Sequence, residues 1–424
     1  MTILNGNFRH YELDNGLVVA MQETPTQIID GKLRVNYAAV HEADNERGLA
    51  HFLEHCLVTG GSQKYSPSES DRLRGDFGYT NAQTAVGRTI FPVKILPEDL
   101  EPWLDLISDS VFNPRLSPDR VEGERGRVIR EISDSKSNPH YSSYREISDL
   151  FYRGHPKGIY VLGDERVVEQ ADIGKLREFH RRGYNANNMD LVLVGNLPKH
   201  TEQLIQTYFG KRQKGKSTRI DFPELTPLEE RAVSHISSPH LLNKNNPNAS
   251  SASLDLYLAV APEKNPDSYA LRTIAVLLGG DTNSRFFKNI GLEKGLAYNC
   301  SAAYAGDYNA GVFAITAKVS ALRLEESLDA IFHEMKKLKD ERINEDELNH
   351  IRKTIKFYFA NTFDSNSGHV DAIEEKLDNN RTAEQIIDGF NNVTPERIME
   401  TARKYLPSRE SGKYSLVIAD PLKK

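Results

Sequence analysis

The chain has 424 residues, of which 38% are hydrophobic and 27% charged, and its formal net charge is −6. This length exceeds one ordinary hydrophobic core, so two or more domains are expected, and the negative charge argues against nucleic acid as the main partner. Only two cysteines occur, which excludes a disulfide framework. No apolar run is long enough to span a bilayer, and residues 1–21 have no targeting pattern, so a cytoplasmic location is expected.

In the first half of the chain, strand-like runs alternate with helical patterns. Residues 1–21 predict a β-hairpin that turns at Asp14-Asn15-Gly16. Further strands are predicted at LRVNYAAV (from Leu33), TIFPVKI and MDLVLVGN. Helices are predicted at GLAHFLEHCLVTGG, at PEDLEPWLDLISDSVF and from Ser117, with Pro118 at the first helical position.

The second half repeats this order. SASLDLYLAVAP and AGVFAITAKV are strand-like, whereas SYALRTIAVLLGG, LEESLDAIFHEMKKL and INEDELNHIRKTIKFYF are helical. The repeat predicts an α+β fold with two similar domains, each a mostly antiparallel sheet packed against helices. A basic, polar, proline-containing stretch predicts a linker at 211–230, between domains at 1–210 and 231–424.

The segment HFLEH, residues 51–55, holds two histidines four apart with a glutamate before the second. On a helix, His51, Glu54 and His55 share one face. Two neutral imidazoles at this spacing can bind one Zn²⁺, and the carboxylate can activate water; the inverted motif H-x-x-E-H is a zinc-peptidase signature. The alternative is a surface helix end with two histidines spaced so by chance, and a zinc site requires a third ligand. Cys56 would point about 100° away from His55 on a helix, so core packing is expected for it.

Two glutamates in DRVEGERGRVIREISD are candidates for that third ligand. Glu124 and Glu131 lie seven residues apart on one helix face, with Val128 between them. Carboxylates in an apolar stripe are costly unless a cation or a hydrogen-bond donor compensates them. The alternative is pairing with neighbouring arginines on a solvated face, and this stretch alone favours the alternative.

Residue patterns along nearly the whole chain bear on that choice. HFLEH, followed after 75 residues by Glu131 in VIREI, resembles the signature of the pitrilysin/insulinase family of zinc peptidases, in particular its short branch similar to mitochondrial processing peptidase. Other matching segments are YELDNGLVV, GYTNAQTAVGRTIF, GHPKGIYVLGDE, HRRGYNANNMDLVLVGN and EKGLAYNCSAAY. The resemblance implies that His51, His55 and Glu131 bind zinc and that Glu54 is the general base for a zinc-activated water. It also implies that Glu124 supports a histidine ligand from behind.

The resemblance further implies how a peptide substrate is held. Asn81 and Ala82 would lie on an edge strand that pairs with the substrate backbone. Tyr298 matches the tyrosine of an arginine/tyrosine pair that contacts substrate in the family, although an ordinary strand tyrosine is the alternative. Gly291 stands where the family has the arginine, so this part of the site is left to a partner subunit or is unfilled.

The assembly follows from the same resemblance. The family encloses peptides in a chamber of four half-units, and this chain supplies two, which implies a homodimer or a heterodimer with a related subunit. The function expected is a zinc metallopeptidase that hydrolyses peptides or unfolded polypeptides. The alternative is a non-catalytic or partner-dependent subunit of a heterodimeric peptidase.

Overall fold

The structure is a computed structural model that describes residues 7–138, 140–410 and 412–423. Its strands are β1 Phe8–Glu12, β2 Val18–Glu23, β3 Ile29–Val35, β4 Tyr79–Thr80, β5 Gln83–Thr84, β6 Thr89–Ile95, β7 Met189–Gly195, β8 Ala232–Ser237, β9 Ser251–Val260, β10 Ala297–Gly306, β11 Gly311–Ser320 and β12 Ser415–Asp420.

The α-helices are α1 Leu49–Thr59, α2 Pro67–Asp76, α3 Leu100–Phe112, α4 Pro118–Ser137, α5 Tyr141–Tyr152, α6 Glu165–Gln170, α7 Ile173–Gly183, α8 Thr201–Phe209, α9 Asp267–Gly279, α10 Leu324–Asp340, α11 Glu345–Thr362, α12 Asn366–Asn379, α13 Ala383–Asn391 and α14 Pro395–Tyr405. A π-helical segment spans Phe286–Glu293, and 3₁₀ turns lie at Ala39–His41, Asp44–Glu46, Pro97–Asp99, Pro156–Gly158, Ala186–Asn188, Pro239–Leu241, Pro247–Ala249 and Ala321–Arg323. Among the described helices, none combines the length and the apolar composition that crossing a bilayer requires.

The five strands of the second sheet repeat the order of β2, β7, β3, β6 and β4 in the first, which has β1 and β5 in addition. The first runs β1-β2-β7-β3-β6-β4, with β5 also paired to β6, and the second, taken from its opposite end, runs β8-β12-β9-β11-β10. The pairs β2/β7 and β8/β12 are parallel, and the other described pairs are antiparallel. The predicted α+β class with two similar, mostly antiparallel domains is therefore confirmed.

The chain divides into two compact units. Unit 1 comprises residues 1–136, 159–220 and 360–377, as far as they are described; unit 2 comprises 137–158, 221–359 and 378–424. The change at 220/221 falls inside the predicted linker at 211–230. The predicted domains are continuous, 1–210 and 231–424. In the structure, residues 137–158 belong to unit 2 and residues 360–377 belong to unit 1.

Segment 360–377 belongs to unit 1 because it covers the second face of the first sheet. Val370 and Ile373 of α12 pack against Ala20, Val192 and Val194, whereas the alternate strand side chains face the main core. Both faces of β7 are consequently buried.

The covered face also holds charges. The Arg34 side chain is 1% exposed and its Nη2 lies 2.8 Å from Asp190 Oδ2, and Arg34 Nη1 lies 3.3 Å from Glu374 Oε1. This pairing offsets the cost of removing the charges from water.

Most predicted elements lie where the sequence places them. The hairpin forms between β1 and β2, although residues 1–6 of its predicted range lie outside the described residues. The strand predicted from Leu33 instead occupies Ile29–Val35. Residues after it enter a 3₁₀ turn in which the Ala38 backbone N–H donates to His41 Nδ1 at 3.0 Å. Cys56 is buried in the core of unit 1, as expected.

Candidate metal centre

Helix α1 carries the three titratable residues of the HFLEH segment, His51, Glu54 and His55. Its start is fixed by the Glu42 carboxylate, which accepts hydrogen bonds from the backbone N–H groups of Gly48 (3.1 Å) and Ala50 (2.7 Å). These donors have no partner within the helix, so Glu42 acts as a cap from outside it. Burial raises the pKa of Glu42 to about 7, while the two backbone N–H groups act against that rise. Sequence reasoning missed Glu42, because it lies outside the usual cap position.

The same helix start requires glycine. Gly48 has φ +102°, and a Cβ there would lie 2.9 Å from the Leu162 carbonyl oxygen. Gly163 faces it so closely that a Cβ on Gly163 would meet Gly48 Cα at 2.2 Å. The loop after α5 therefore packs against the first turn of α1.

Helix α4 brings a carboxylate to the two histidines. His51 Nε2 and His55 Nε2 lie 3.2 Å apart, and Glu131 Oε2 lies 3.5 Å from the first and 3.4 Å from the second. Ligand atoms about 2.0–2.2 Å from a tetrahedral zinc lie about 3.3–3.6 Å from one another. The three atoms thus already have the spacing of three zinc ligands, and among the described residues this is the one group that could hold a metal ion.

His51 favours the neutral form that a ligand needs. Burial, together with the nearby His55, lowers the pKa of His51 to about 4. His55 Nδ1 lies 3.2 Å from Glu124 Oε2, and a proton on Nδ1 leaves the Nε2 lone pair directed at the centre. His51 Nδ1 is buried and has no hydrogen-bond partner among the described residues.

Glu124 lies behind the centre. Its side chain is 4% exposed, and Arg127 Nη1 donates to its Oε1 at 2.8 Å. The arginine pairing expected by the alternative is therefore present, but it occupies one carboxylate oxygen while the other faces His55. Glu124 therefore does both: its Oε1 pairs with Arg127, and its Oε2 faces the histidine ligand His55.

Glu54 lies on the same face of α1 as the two histidines, and its carboxylate is hydrogen-bonded to a residue of the sheet edge. Thr84 Oγ1 of β5 donates to Glu54 Oε2 at 2.9 Å. Burial raises the pKa of Glu54, and the Thr84 hydrogen bond opposes the rise. A carboxyl group with a raised pKa exchanges protons near neutral pH more readily than an exposed one. Thr84 was missed, because the contact spans 30 residues.

The predicted substrate residues lie at the edge of the first sheet. Asn81 and Ala82 separate β4 from β5, and both short strands pair with β6. The Asn81 backbone N–H donates to the Pro92 carbonyl at 3.3 Å, and its side-chain oxygen accepts from the Ala82 N–H. The predicted edge strand is thus present with a break at these two residues.

Tyr298 and Gly291 belong to unit 2. Tyr298 lies in β10 where the pairing register shifts, and it is 92% exposed, unlike a half-buried strand tyrosine. Gly291 lies in the π-helical segment, where a Cβ would have ordinary contact, 3.6 Å from the Ala297 carbonyl oxygen. Arg285, the nearest arginine along the chain, is paired with Glu347 at 3.0 Å.

Two family models match this chain, one in each half. The family model described as "Insulinase (Peptidase family M16)" matches residues 17–165, which include the three convergent side chains. A second model, "Peptidase M16 inactive domain", matches residues 171–355. The chain belongs to the M16 (insulinase) family of peptidases. The inactive-domain model matches the second half, which lacks the H-x-x-E-H pattern of the first half.

Several M16 relatives are similar over most of their length. The chain is 24% identical to the "Uncharacterized zinc protease YmxG" of Bacillus subtilis, over 97% of this chain and 98% of the relative. It is also 24% identical to an "Uncharacterized zinc protease" of Rickettsia bellii, over 82% of each. Both relatives are named as zinc proteases.

Solved structures share the fold. A protease from Helicobacter pylori has a TM-score of 0.84 at 21% identity, covering 98% of this chain and 99% of that chain. The periplasmic protease PqqL from Escherichia coli has a TM-score of 0.81 at 16% identity, and the match covers 98% of this chain but 48% of that protein. This fold thus occurs both at this length and as half of a longer chain.

Proposed function

We propose that this chain is a zinc metallopeptidase that hydrolyses peptides or unfolded polypeptides. The observation that carries the proposal is the convergence of His51 Nε2, His55 Nε2 and Glu131 Oε2 at 3.2–3.5 Å. Two neutral imidazoles and one carboxylate are a donor set that suits zinc, and three protein ligands leave a position for water. When bound, zinc supplies Lewis acidity and lowers the pKa of a coordinated water to about 7.

Glu54 supplies the proton transfers in this proposal. It lies on the ligand helix, one residue before His55, and the residue is 7% exposed. We assign it to accept the proton of the attacking water and to pass that proton to the leaving amine. Thr84 holds one of its oxygens, which fixes the carboxylate in position.

The substrate backbone is proposed to pair with the sheet edge at Asn81 and Ala82. Because Thr84 of the same edge contacts Glu54, a peptide paired along this edge lies beside the general base. Main-chain pairing reads backbone rather than side chains, which suits extended or unfolded chains.

A partner-dependent subunit is the second candidate, and Gly291 favours it. Of the arginine/tyrosine pair that contacts substrate in the family, this chain has the tyrosine, Tyr298, but Gly291 in place of the arginine. We therefore propose a homodimer or a heterodimer in which a related subunit helps to bind the substrate. We also propose a cytoplasmic location for this chain. Native mass measured together with peptide hydrolysis, with and without a related M16 subunit, distinguishes the two candidates.

The replacement Glu54→Gln tests the peptidase proposal. We expect it to retain about one zinc per chain, because Glu54 is not a ligand in this arrangement, and to lower turnover of a quenched fluorescent peptide by about 10²–10⁴-fold. Metal analysis by mass spectrometry and initial rates are the measurements. Loss of zinc in this variant would make Glu54 a ligand, and unchanged turnover would remove it as the base.

A further inference from the structure

A partly buried arginine lies beside the sheet edge, and no described residue gives it an anionic partner within ion-pair distance. Arg74, in the last turn of α2, has a side-chain Nη1 that is inaccessible to solvent and lacks a hydrogen-bond partner among the described residues. Its one described hydrogen bond is a long one, 3.5 Å from Nη2 to the Leu57 carbonyl oxygen. A guanidinium carries five N–H donors, and buried charges in proteins are normally paired. Arg74 is therefore an exception that calls for a partner.

The neighbouring acid does not supply that partner. Asp71 lies on the same helix and its charge acts to raise the pKa of Arg74, but its described ion pair is with Arg120, whose Nη1 lies 3.8 Å from Asp71 Oδ2. Burial lowers the pKa of Arg74 to about 10, which still leaves it charged at neutral pH. A charge held in this way destabilises the fold unless a ligand compensates it.

Arg74 lines a cavity of about 120 Å³. The other lining residues are mostly apolar and come from α1, α3, β4 and β6 and from the break after β4: Val58, Thr80, Asn81, Phe91, Pro92, Trp103, Leu106 and Ile107. No carboxylate is among them. The cavity is therefore suited to one small group with an apolar stem and a negative end.

The position of the cavity relates it to the proposed peptide path. Thr80 and Asn81 border it, and Thr84, four residues further along the same edge, contacts Glu54. Four extended residues span at most about 13 Å, so the cavity lies within about that distance of Thr84 along the edge. A peptide paired with this edge would place a group some four residues from the cleaved bond above the cavity.

From this geometry we propose that Arg74 binds a carboxylate of the substrate peptide and thereby selects acidic peptides. The carboxylate comes from an Asp or Glu side chain or from the peptide C-terminus, and both present the same two oxygens to the guanidinium. This inference rests on the proposed function, since it assumes that a peptide lies along Asn81 and Ala82. Arg74 is a specificity residue, because it contacts the substrate away from the cleaved bond.

Peptide binding tests the inference without relying on hydrolysis. The protein is the zinc-loaded Glu54→Gln chain, and the probes are fluorescein-labelled decapeptides with one Glu placed at successive positions. Each peptide is compared with its Gln counterpart and with its C-terminally amidated form by fluorescence anisotropy. We expect one Glu position, or the free C-terminus, to bind about 10–100-fold more tightly than its neutral counterpart, as hydrogen bonds to a charged group do.

Two further variants assign that preference to Arg74. Adding Arg74→Met keeps the volume and removes the charge, so the preference should disappear. Adding Arg72→Met is the matched control, because Arg72 lies on the same helix but is 66% exposed and paired with Asp76 at 2.8 Å. Because Arg74→Met also removes a partly buried charge that lacks an anionic partner among the described residues, its thermal unfolding midpoint should be at or above that of the parent, which separates lost recognition from lost folding.

The outcomes are distinct. Equal affinity for charged and neutral peptides, or a preference that survives Arg74→Met, overturns the inference. Hydrolysis by the unmutated chain with no carboxylate preference leaves the peptidase proposal intact and rejects this one. An Arg74-dependent preference without any hydrolysis by the unmutated chain supports the Arg74 site and rejects the peptidase proposal.

Discussion

The replacement Glu124→Ala tests how the metal centre is supported from behind. Glu124 is a buried carboxylate with one oxygen 3.2 Å from His55 Nδ1 and the other 2.8 Å from Arg127 Nη1. Removing it leaves the His55 N–H without this acceptor, so neither the tautomer nor the ring orientation is fixed. We expect weaker zinc binding, although the three proposed ligands, His51, His55 and Glu131, are unchanged.

The structure sets the size of this effect. A hydrogen bond to a charged group contributes about 1.5–3 kcal/mol, which is roughly 10–150-fold in affinity. The contact with Arg127 adds little, because that side chain is 58% exposed and water can replace the carboxylate. The expected loss is thus about 10–100-fold, the usual range for such supporting residues. Glu124→Gln, which keeps an acceptor oxygen but loses the charge, should fall between wild type and Glu124→Ala.

Zinc affinity is measured by competition with a chromophoric chelator at fixed pH. The matched control is Glu122→Ala, since Glu122 lies on the same helix, is 73% exposed and pairs with Arg125 at 2.9 Å. The metal-free forms should unfold at similar urea concentrations. Unchanged affinity and activity in Glu124→Ala would return Glu124 to the role of a structural partner for Arg127.

Three further predictions concern unit 2 and the buried charges of unit 1. Tyr298→Phe should lower kcat in steady-state assays without changing zinc content; a variant equal to wild type would make Tyr298 an ordinary exposed residue. Gly291→Arg should fold normally, because a Cβ there meets only ordinary contacts, and should raise kcat/KM of the chain alone; a folded variant with no gain would reject the missing-arginine explanation. Burial would raise the pKa of Asp190, but Arg34 and Arg219 outweigh it and lower that pKa to about 2. Its stabilisation is therefore complete above about pH 4 and is lost as pH falls towards 2, so the stability advantage of wild type over Asp190→Asn should shrink by about 2 kcal/mol in urea titrations across that range. A constant difference would contradict the assignment.

The local elements of this protein could be predicted from periodicity. Strand β6 at Thr89–Ile95 and helix α1 with its HFLEH face follow from alternation and from the i, i+4 spacing, which are properties of neighbouring residues. The repeated order of elements likewise predicted two similar sheets. The spacing of Glu124 and Glu131 placed both on one helix face, and only the family resemblance directed that face to the histidines.

Contacts between distant residues required the tertiary structure. Nothing near β7 in sequence indicates that Val370 and Ile373 cover its second face. The hydrogen bond from Thr84 to Glu54 and the capping of α1 by Glu42 likewise depend on how the loops return.

Arg74 shows the same limit most clearly. In the sequence it is one of several charged residues on a polar helix, indistinguishable from Arg72. Only the tertiary structure places Arg74 at the Leu57 carbonyl and in a cavity shared with Trp103, while Arg72 stays exposed to water. The sequence determines which side chains share a face of a helix or strand, because that depends on backbone geometry alone. Burial and partners depend on which faces meet, and the tertiary structure decides that.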